Sequence, residues 1–273
     1  MSDIKFTASI VLYHTSIYDL EKVIRCFTDR NDIRLFIIDN SSDNSRIQFC
    51  AARNIAYRSF TSNIGFGAAH NVAIKEAIDL GSCLHFVVNP DIYFNSEILD
   101  TLVNTMKSDS KIGMIMPQIL NPDLTVQYLP KLLPSPASML LRKMKWPQRI
   151  YRKSLNTYEL RFVPNSVIYN APILSGCFTL LNLSAIMDVG SYDESFFMYF
   201  EDWDLSRRVH KKYKTIYFPK VSVCHGYESG ANKKLKLFKI FILSAINYFN
   251  RWGWFFDRER KQINKAALEQ FNK

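Results

Sequence analysis

The sequence predicts an α/β fold: a Rossmann-like, mostly parallel central sheet flanked by helices, followed by a C-terminal helical extension. Apolar runs of about five residues alternate with helix-forming segments through roughly the first 110 residues, as in a parallel sheet covered on both faces. Those runs end in clusters of Asp, Asn, Ser and Gly. Polar groups are thereby placed at one edge of the sheet, where open α/β sheets bind ligands.

Ala8 to Tyr13 is the first strand and Leu20 to Asp29 the helix after it. Leu35 to Ile38 is the second strand and runs into Asp39-Asn40-Ser41-Ser42-Asp43-Asn44. A third strand, Tyr57 to Phe60, leads through Asn63-Ile64-Gly65-Phe66-Gly67 into a helix ending at Asp79. Leu84 to Val88 is the fourth and stops at Asn89-Pro90-Asp91; Ile112 to Met116 is the fifth. Pro117, Pro122, Pro130, Pro134, Pro136 and Pro147 then interrupt a basic stretch of poor periodicity, which reads as a long excursion over a cleft or a membrane. The sheet resumes over Ile173 to Leu181, one helix starts at Ser184, and another spans Glu201 to Lys212. Extended pieces follow at Thr215 to Phe218 and up to His225. Lys233 to Phe256 is helical, with Leu235, Phe238, Phe241, Ile242, Ala245, Phe249 and Trp252 at three-four spacing.

With 273 residues, 48% of them hydrophobic, the chain buries a sizeable core, which excludes general disorder. The expected organisation is one domain over 1–230, split into halves 1–110 and 111–230, then a basic amphipathic tail over 231–273. A formal net charge of +10 implies a negative partner: a nucleotide, a nucleic acid or an anionic lipid surface. Arg142, Lys143, Lys145, Arg149, Arg152 and Lys153 crowd one region without an acid, and Lys233, Lys234, Lys236 and Lys239 open the tail. Cys26, Cys50, Cys83, Cys177 and Cys224 are odd in number and widely spaced, which suits free thiols in a reducing compartment and supports neither zinc nor a disulfide framework. No apolar segment follows a basic stretch at the N-terminus, so no secretory signal is expected. The longest apolar candidate for a membrane span, Phe238 to Phe249, is broken by Lys239, Ser244 and Asn247.

The chemistry-bearing pattern is Phe196-Phe197-Met198-Tyr199-Phe200-Glu201-Asp202-Trp203-Asp204. Helix capping explains one carboxylate at a helix start, not three, and the aromatic run makes full solvation costly. One of Glu201, Asp202 and Asp204 is therefore a candidate proton acceptor; a solvated acidic turn balanced by Arg207 and Arg208 is the plain alternative. Asp39 and Asp91 follow two strands at the same edge, and outline a cleft in which a divalent cation joins a carboxylate to a diphosphate, unless each is simply a turn former. Gly65 and Gly67 either bring backbone N–H groups to a phosphate or serve only the turn. His225 is either a buried, hydrogen-bonded histidine or a metal or diphosphate contact. His14, just beyond the first strand, either touches the nucleotide or serves the structure.

In order along the chain, Val11-Leu12-Tyr13, Ile38-Asp39-Asn40-Ser41-Ser42-Asp43, Asn63-Ile64-Gly65-Phe66-Gly67, Val88-Asn89-Pro90-Asp91, Ser175-Gly176-Cys177, Gly190 to Tyr199, Glu201-Asp202-Trp203-Asp204-Leu205 and His225 resemble the inverting glycosyltransferases of family 2. The likeness is to the rhamnosyltransferase-like branch that builds bacterial cell-surface polysaccharides, and it spans about residues 8 to 230. It implies the A-type glycosyltransferase fold and a nucleoside diphosphate sugar donor. A glycan or lipid-linked oligosaccharide is the implied acceptor, with magnesium or manganese as cofactor; from the free thiols and the lysine-rich tail, the expected place is the cytoplasm, at the inner face of its membrane. By the resemblance Asp202 is the catalytic base, with Glu201 and Asp204 on the acceptor side. Tyr13, Asp39, Asp43, Asn63, Gly65 and Asn89 serve the nucleotide, and Asp91 and His225 the metal. The chain departs from the family's D-x-D pattern at Asn89 and carries Ser191 where relatives often have glycine. Of the Q-x-x-R-W element of processive members only Arg251-Trp252 is present, with Tyr248 in place of the glutamine, which favours one sugar per event.

A nucleotidyltransferase is the nearer rival, but no G-x-G-x-R-type, lysine-bearing phosphate loop stands near Tyr13. A nucleic-acid-binding module or a scaffold leaves the acidic cluster unexplained. Vesicle binding, packing on the domain with the lysines in water, and oligomer contact are all open for the tail helix.

Overall fold

All seven residues of β1 (Phe6–Leu12) are buried, which requires cover on both faces of the sheet. The computed structural model describes residues 6–42, 45–226 and 234–272. Within them β1 is joined by β2 (Ile33–Asp39), β3 (Ala56–Ser59), β4 (Leu84–Val88), β5 (Ile92–Tyr93), β6 (Ile112–Leu120), β7 (Tyr169–Asn170), β8 (Phe178–Asn182) and β9 (Lys214–His225). The order across the sheet is β3-β2-β1-β4-β8-β6-β9-β5, with β7 also paired to β9. β1 to β4 are mutually parallel; β8 runs against β4 and β6, and β9 returns parallel to β6. The mostly parallel sheet expected from the sequence is therefore present, with β5, β7 and β8 reversed.

Helices α1 (Ile17–Arg25), α2 (Ile47–Ala51), α3 (Phe66–Asp79) and α4 (Glu97–Ser108) connect the first half; α7 (Leu183–Val189) and α8 (Glu201–His210) precede β9. The parallel strands β1, β2, β3 and β4 all present their C-terminal ends at one edge, so the polar segments after them meet there. The short β5 pairs with the end of β9, Ile92 opposite His225, which carries His225 to the Asp91 turn.

The proline-rich stretch is more regular than its composition suggests. It holds α5 (Pro136–Met144) and α6 (Gln148–Tyr158). Pro136 lies in the first turn, where its missing N–H costs nothing, and Ser135 with Ser138 closes a capping box.

The C-terminal helices α9 (Lys234–Trp252) and α10 (Arg258–Glu269) pack back onto α8. Tyr248 and Phe249 of α9 join Phe196 and Phe200 in an aromatic cluster. Arg207 of α8 forms a bidentate ion pair with Asp257, the N-cap of α10, at 2.8 and 2.9 Å. Among the described residues no helix is long and apolar enough to cross a membrane.

Candidate active site

A cleft of about 770 Å³ opens at the C-terminal edge of β1, β2 and β4. Tyr13, Asn63, Gly65, Asn89 and Asp91 line it, so the structure brings together five of the residues singled out from sequence. A cavity of about 840 Å³ lies at the opposite, N-terminal edge. Its Arg25, Arg30 and Arg53 are paired with Glu21, Asp32 and Asp100, and it is remote from the acidic segment.

Asp91 sits 3.3 Å from His225 through Oδ1 and Nε2. The Gln127 side-chain amide donates to the carbonyls of Leu120 and His225, which turns its Oε1 toward His225 Nδ1 at 3.1 Å. This bonding places a ring proton on Nδ1 and turns Nε2 toward Asp91. An imidazole nitrogen and a carboxylate oxygen side by side are a donor pair that a divalent cation can use. Asn89 Oδ1 and Asp91 Oδ1 are both buried without a hydrogen-bond partner among the described residues. This donor set fits magnesium or manganese, hard ions that bind oxygen and take much of their coordination from phosphates and water. Among the described residues no group of three His, Cys, Asp or Glu side chains could hold an ion alone.

The acidic segment enters α8 through two consecutive left-handed residues, Tyr199 (φ 70°) and Phe200 (φ 69°). Neither is glycine, so the turn is strained, and the buried rings of Phe196 and Phe200 against α9 hold it. Phe197 and Tyr199, by contrast, remain partly in solvent. Asp202 Oδ2 accepts the Gly176 N–H at 3.1 Å and Oδ1 accepts the Trp203 N–H at 3.0 Å. Gly176 is wedged between Phe66 and Asp202: a Cβ there would stand 3.2 Å from the Phe66 ring and 3.3 Å from Asp202 Cβ. The next residue, Cys177, accepts the Asn89 N–H at 2.8 Å through its carbonyl. Its thiol is pushed up to about 12 by burial, with the Asp91 and Asp202 carboxylates both adding to the rise. One short segment, Gly176-Cys177, therefore lies between the two acidic positions.

Glu201 and Asp202 behave differently. Burial pushes the Glu201 carboxyl well above the ordinary glutamate range, the Asp202 charge adds to this, and Oε2 has no hydrogen-bond partner among the described residues. Burial raises Asp202 as well, but the Gly176 N–H and the Lys131 ammonium act against it. Asp202 also keeps a partly open side. Burial therefore penalises the charge more heavily at Glu201 than at Asp202, whose rise the Gly176 N–H and Lys131 oppose.

Gly65, the N-cap of α3, has φ 96° and touches the acidic segment directly. A Cβ there would lie 2.5 Å from the Phe197 carbonyl oxygen, which accepts the Phe66 N–H at 2.9 Å. The glycine is thus required by packing between α3 and the segment before α8, although it also borders the cleft. Its own N–H donates to Asn63 Oδ1 at 2.8 Å.

Two expected site residues stand elsewhere. Asp39 is fully buried; Arg46 and Tyr57 donate to Oδ2 at 3.2 and 2.9 Å, and the Ser41 N–H to Oδ1 at 2.8 Å. Asp204, expected on the acceptor side, is fully buried with Arg208 Nε at 2.8 Å and Trp252 Nε1 at 2.9 Å from its two oxygens. It ties α9 to α8 rather than opening on the cleft. Asp43 lies outside the described residues. His14 borders the cleft, its N–H held by Ser41 Oγ at 2.8 Å.

Sequence reasoning missed Lys131 and Gln127. Lys131 is buried, its Nζ held by the Leu129 carbonyl at 3.0 Å, and burial pulls its ammonium down to about 8. It lies within electrostatic reach of Asp202. Nothing in the sequence separates Lys131 from the solvated lysines that follow it.

No protein-family model matches the chain. It is 26% identical over 208 residues to N-acetylglucosaminyl-diphospho-decaprenol L-rhamnosyltransferase of Mycobacterium tuberculosis, covering 71% of this chain and 66% of that one. It is 25% identical over 211 residues to the low-salt glycan biosynthesis hexosyltransferase Agl10 of Haloferax volcanii, covering 72% of this chain and 64% of that one. The chain thus spans slightly less than two thirds of the curated relatives it matches. Among solved structures it superposes on GalNAc-T7 with UDP, GalNAc and Mn2+ at a TM-score of 0.61 and 15% identity, over 83% of this chain and 44% of that one. The mannosyltransferase PcManGT of Pyrobaculum calidifontis, with GDP-Man and Mn2+, gives 0.56 and 12%, over 98% of this chain and 75% of that one. The chain has the A-type glycosyltransferase fold and is a glycosyltransferase-like protein related, at low identity, to curated rhamnosyl- and hexosyltransferases.

Proposed function

We propose that the chain transfers a single sugar, with inversion, from a nucleoside diphosphate sugar to a hydroxyl of a glycan or lipid-linked glycan acceptor. The observation that carries this reading is the placement of Asp202 and Asp91 on either side of Gly176-Cys177, Asp202 accepting the Gly176 N–H and Asp91 standing beside His225 at the cleft. The relatives' L-rhamnosyl and hexosyl transfer makes dTDP-rhamnose the first donor to test, with UDP-hexoses next.

In this reading the half over 1–110 holds the donor. Tyr13, Asn63 and Asn89 border the nucleotide, while Asp39 acts from behind the cleft wall by fixing Arg46 and Tyr57. Asp91, His225 and Asn89 would hold magnesium or manganese, which when bound neutralises charge gained by the leaving diphosphate. The half over 111–230 supplies the base. Asp202 removes the acceptor hydroxyl proton as that oxygen forms its bond to the anomeric carbon, and the bond from that carbon to the diphosphate oxygen breaks on the opposite side. One displacement inverts the centre. Glu201, buried and raised by burial, supports the turn beneath Asp202. All five cysteines are free thiols, which supports a reducing, cytoplasmic setting.

The test is a thermal-shift screen of nucleotide sugars with and without manganese, followed by product analysis. A donor that raises the melting temperature in a metal-dependent way, and releases nucleoside diphosphate when an acceptor is added, is the expected result. Release of pyrophosphate, or no stabilisation by any nucleotide sugar, overturns the reading.

A further inference from the structure

α9 is apolar on both of its faces. The inner face places Phe241, Ala245, Tyr248, Phe249 and Trp252 around Phe196 and Phe200. The outer face presents Leu235, Phe238, Ile242, Leu243 and Ile246 to solvent, with Leu235 79% and Leu243 67% exposed. A helix that is hydrophobic all round is normally covered on all sides, so this face calls for a partner.

The patch continues onto α5. Lys143 Nζ stands 4.2 Å over the Phe238 ring, and Met139 packs into the same aromatic cluster as Phe241, so the two helices lie side by side. Leu140, Met144 and, just beyond, Trp146 are also exposed. Past the other end of α9, Phe255 and Phe256 stand in solvent, Phe256 almost completely.

Charge decides what covers this surface. α5, α6 and α9 contain no aspartate or glutamate. Lys143, Lys236 and Lys239 are exposed beside the apolar side chains. A second copy of the chain would set positive against positive, which disfavours self-association. Anionic lipid headgroups complement the lysines while the acyl boundary takes up the leucine, isoleucine and aromatic side chains. Since no described helix can cross a membrane, α9 would lie in the plane of the interface.

We infer that the outer face of α9, with α5 and the Phe255-Phe256 segment, seats the protein on an anionic lipid surface. The face does not depend on the transfer reaction, and its test reads lipid binding alone. The full chain is sedimented with vesicles of phosphatidylcholine plus phosphatidylglycerol, and with phosphatidylcholine alone, at low and high salt. Two variants are compared, Lys236→Gln with Lys239→Gln, and Leu243→Glu with Ile246→Glu, both at exposed positions and both checked for folding by circular dichroism.

Wild-type protein should bind the phosphatidylglycerol vesicles, and salt should weaken that binding. Removing the two lysine charges should lower partitioning about 30-fold. The glutamate pair should abolish it. Wild-type protein that stays in the supernatant overturns the inference, as does binding unchanged in both variants. A lipid-free dimer that Leu243→Glu with Ile246→Glu converts to monomer overturns it too, because a second copy would then be the partner.

Discussion

The Gly176 N–H donates to Asp202 Oδ2 at 3.1 Å, and its missing side chain leaves just enough room for Asp202 beside the Phe66 ring. A backbone donor here stabilises the ionised carboxylate without adding a titrating group. It also fixes the orientation of the carboxylate, whose other oxygen accepts from the Trp203 N–H, while Asp202 keeps a partly open side.

Asp202→Asn keeps the size of the side chain and removes its basicity. Sugar transfer should fall by roughly 10²–10⁴-fold. Donor-induced thermal stabilisation should persist, because Asp91, His225 and the nucleotide-bordering residues are untouched. Near-normal turnover in the purified variant would show that another group takes the proton.

Lys131 should set the acid limb of the pH profile. Burial raises Asp202, and the Lys131 ammonium opposes that rise, so removing the positive charge lets the Asp202 pKa climb further. A general base works only when deprotonated. In Lys131→Met, kcat/KM should therefore begin to fall at a higher pH than in the wild type, with the alkaline plateau less affected. An acid limb that stays in place would show that Lys131 serves packing alone.

Donor binding should depend on Asp91 only when a divalent ion is present. Asp91→Ala is expected to weaken binding of the stabilising nucleotide sugar about tenfold or more in manganese, with little change in chelator. Isothermal calorimetry in both conditions checks this. Equal affinity of variant and wild type in manganese would remove Asp91 from the metal site.

Much of this arrangement was legible in the sequence because it rests on local patterns. The strand Leu84–Val88 and the helix start at Glu201 stand where the apolar run and the acidic cap place them. β5 escaped because a two-residue strand has no period, and its pairing with His225 joins residues far apart in the chain. The helices α5 and α6 escaped because prolines were read as breakers, although Ser135-Pro136 is a helix-start signal. Asp204 looked like a cleft residue because three carboxylates were read together. Its four-residue spacing to Arg208 was already the mark of a helix ion pair, and the bond to Trp252 could be known only from the packing of α9. Lys131 is the opposite case, since only the tertiary fold distinguishes a buried lysine from a solvated one.

Acid should destabilise the fold through two core histidines. His70 and His85 flank Ser9, whose Oγ lies 2.7 Å from His70 Nδ1 and 2.7 Å from His85 Nε2, and Thr7 Oγ1 meets His85 Nδ1 at 2.8 Å. Both rings are fully buried; burial holds His85 down at about 3 and His70 well below its ordinary range. Between those values and the unfolded pKa near 6.5, the unfolded chain binds more protons than the folded one. Stability is then complete above about pH 6.5 and declines as pH falls toward 3. Urea midpoints measured across this range should drop with pH, and His85→Gln should flatten part of that slope. A midpoint independent of pH through this window would contradict the buried neutral pair.

The ion pair between α8 and α10 should behave as a buried charge that needs its partner. Arg207 and Asp257 are 1% and 3% exposed at their side chains; the guanidinium also bonds Glu259 at 2.9 Å and lies 4.2 Å over the Trp252 ring. Asp257→Ala leaves the arginine with only a half-exposed acid and also removes the acceptor for the Arg260 N–H at the start of α10. A loss of about 3–5 kcal/mol is expected by urea denaturation. Replacing both partners, Arg207→Met with Asp257→Leu, removes the unpaired charge and should recover part of that loss, the helix cap remaining absent. Because Arg207 shares α8 with Asp202, the single variant should also lower turnover before it unfolds, whereas the double variant should keep more of it. Equal stability in Asp257→Ala and wild type would mean that α10 is not anchored through this pair.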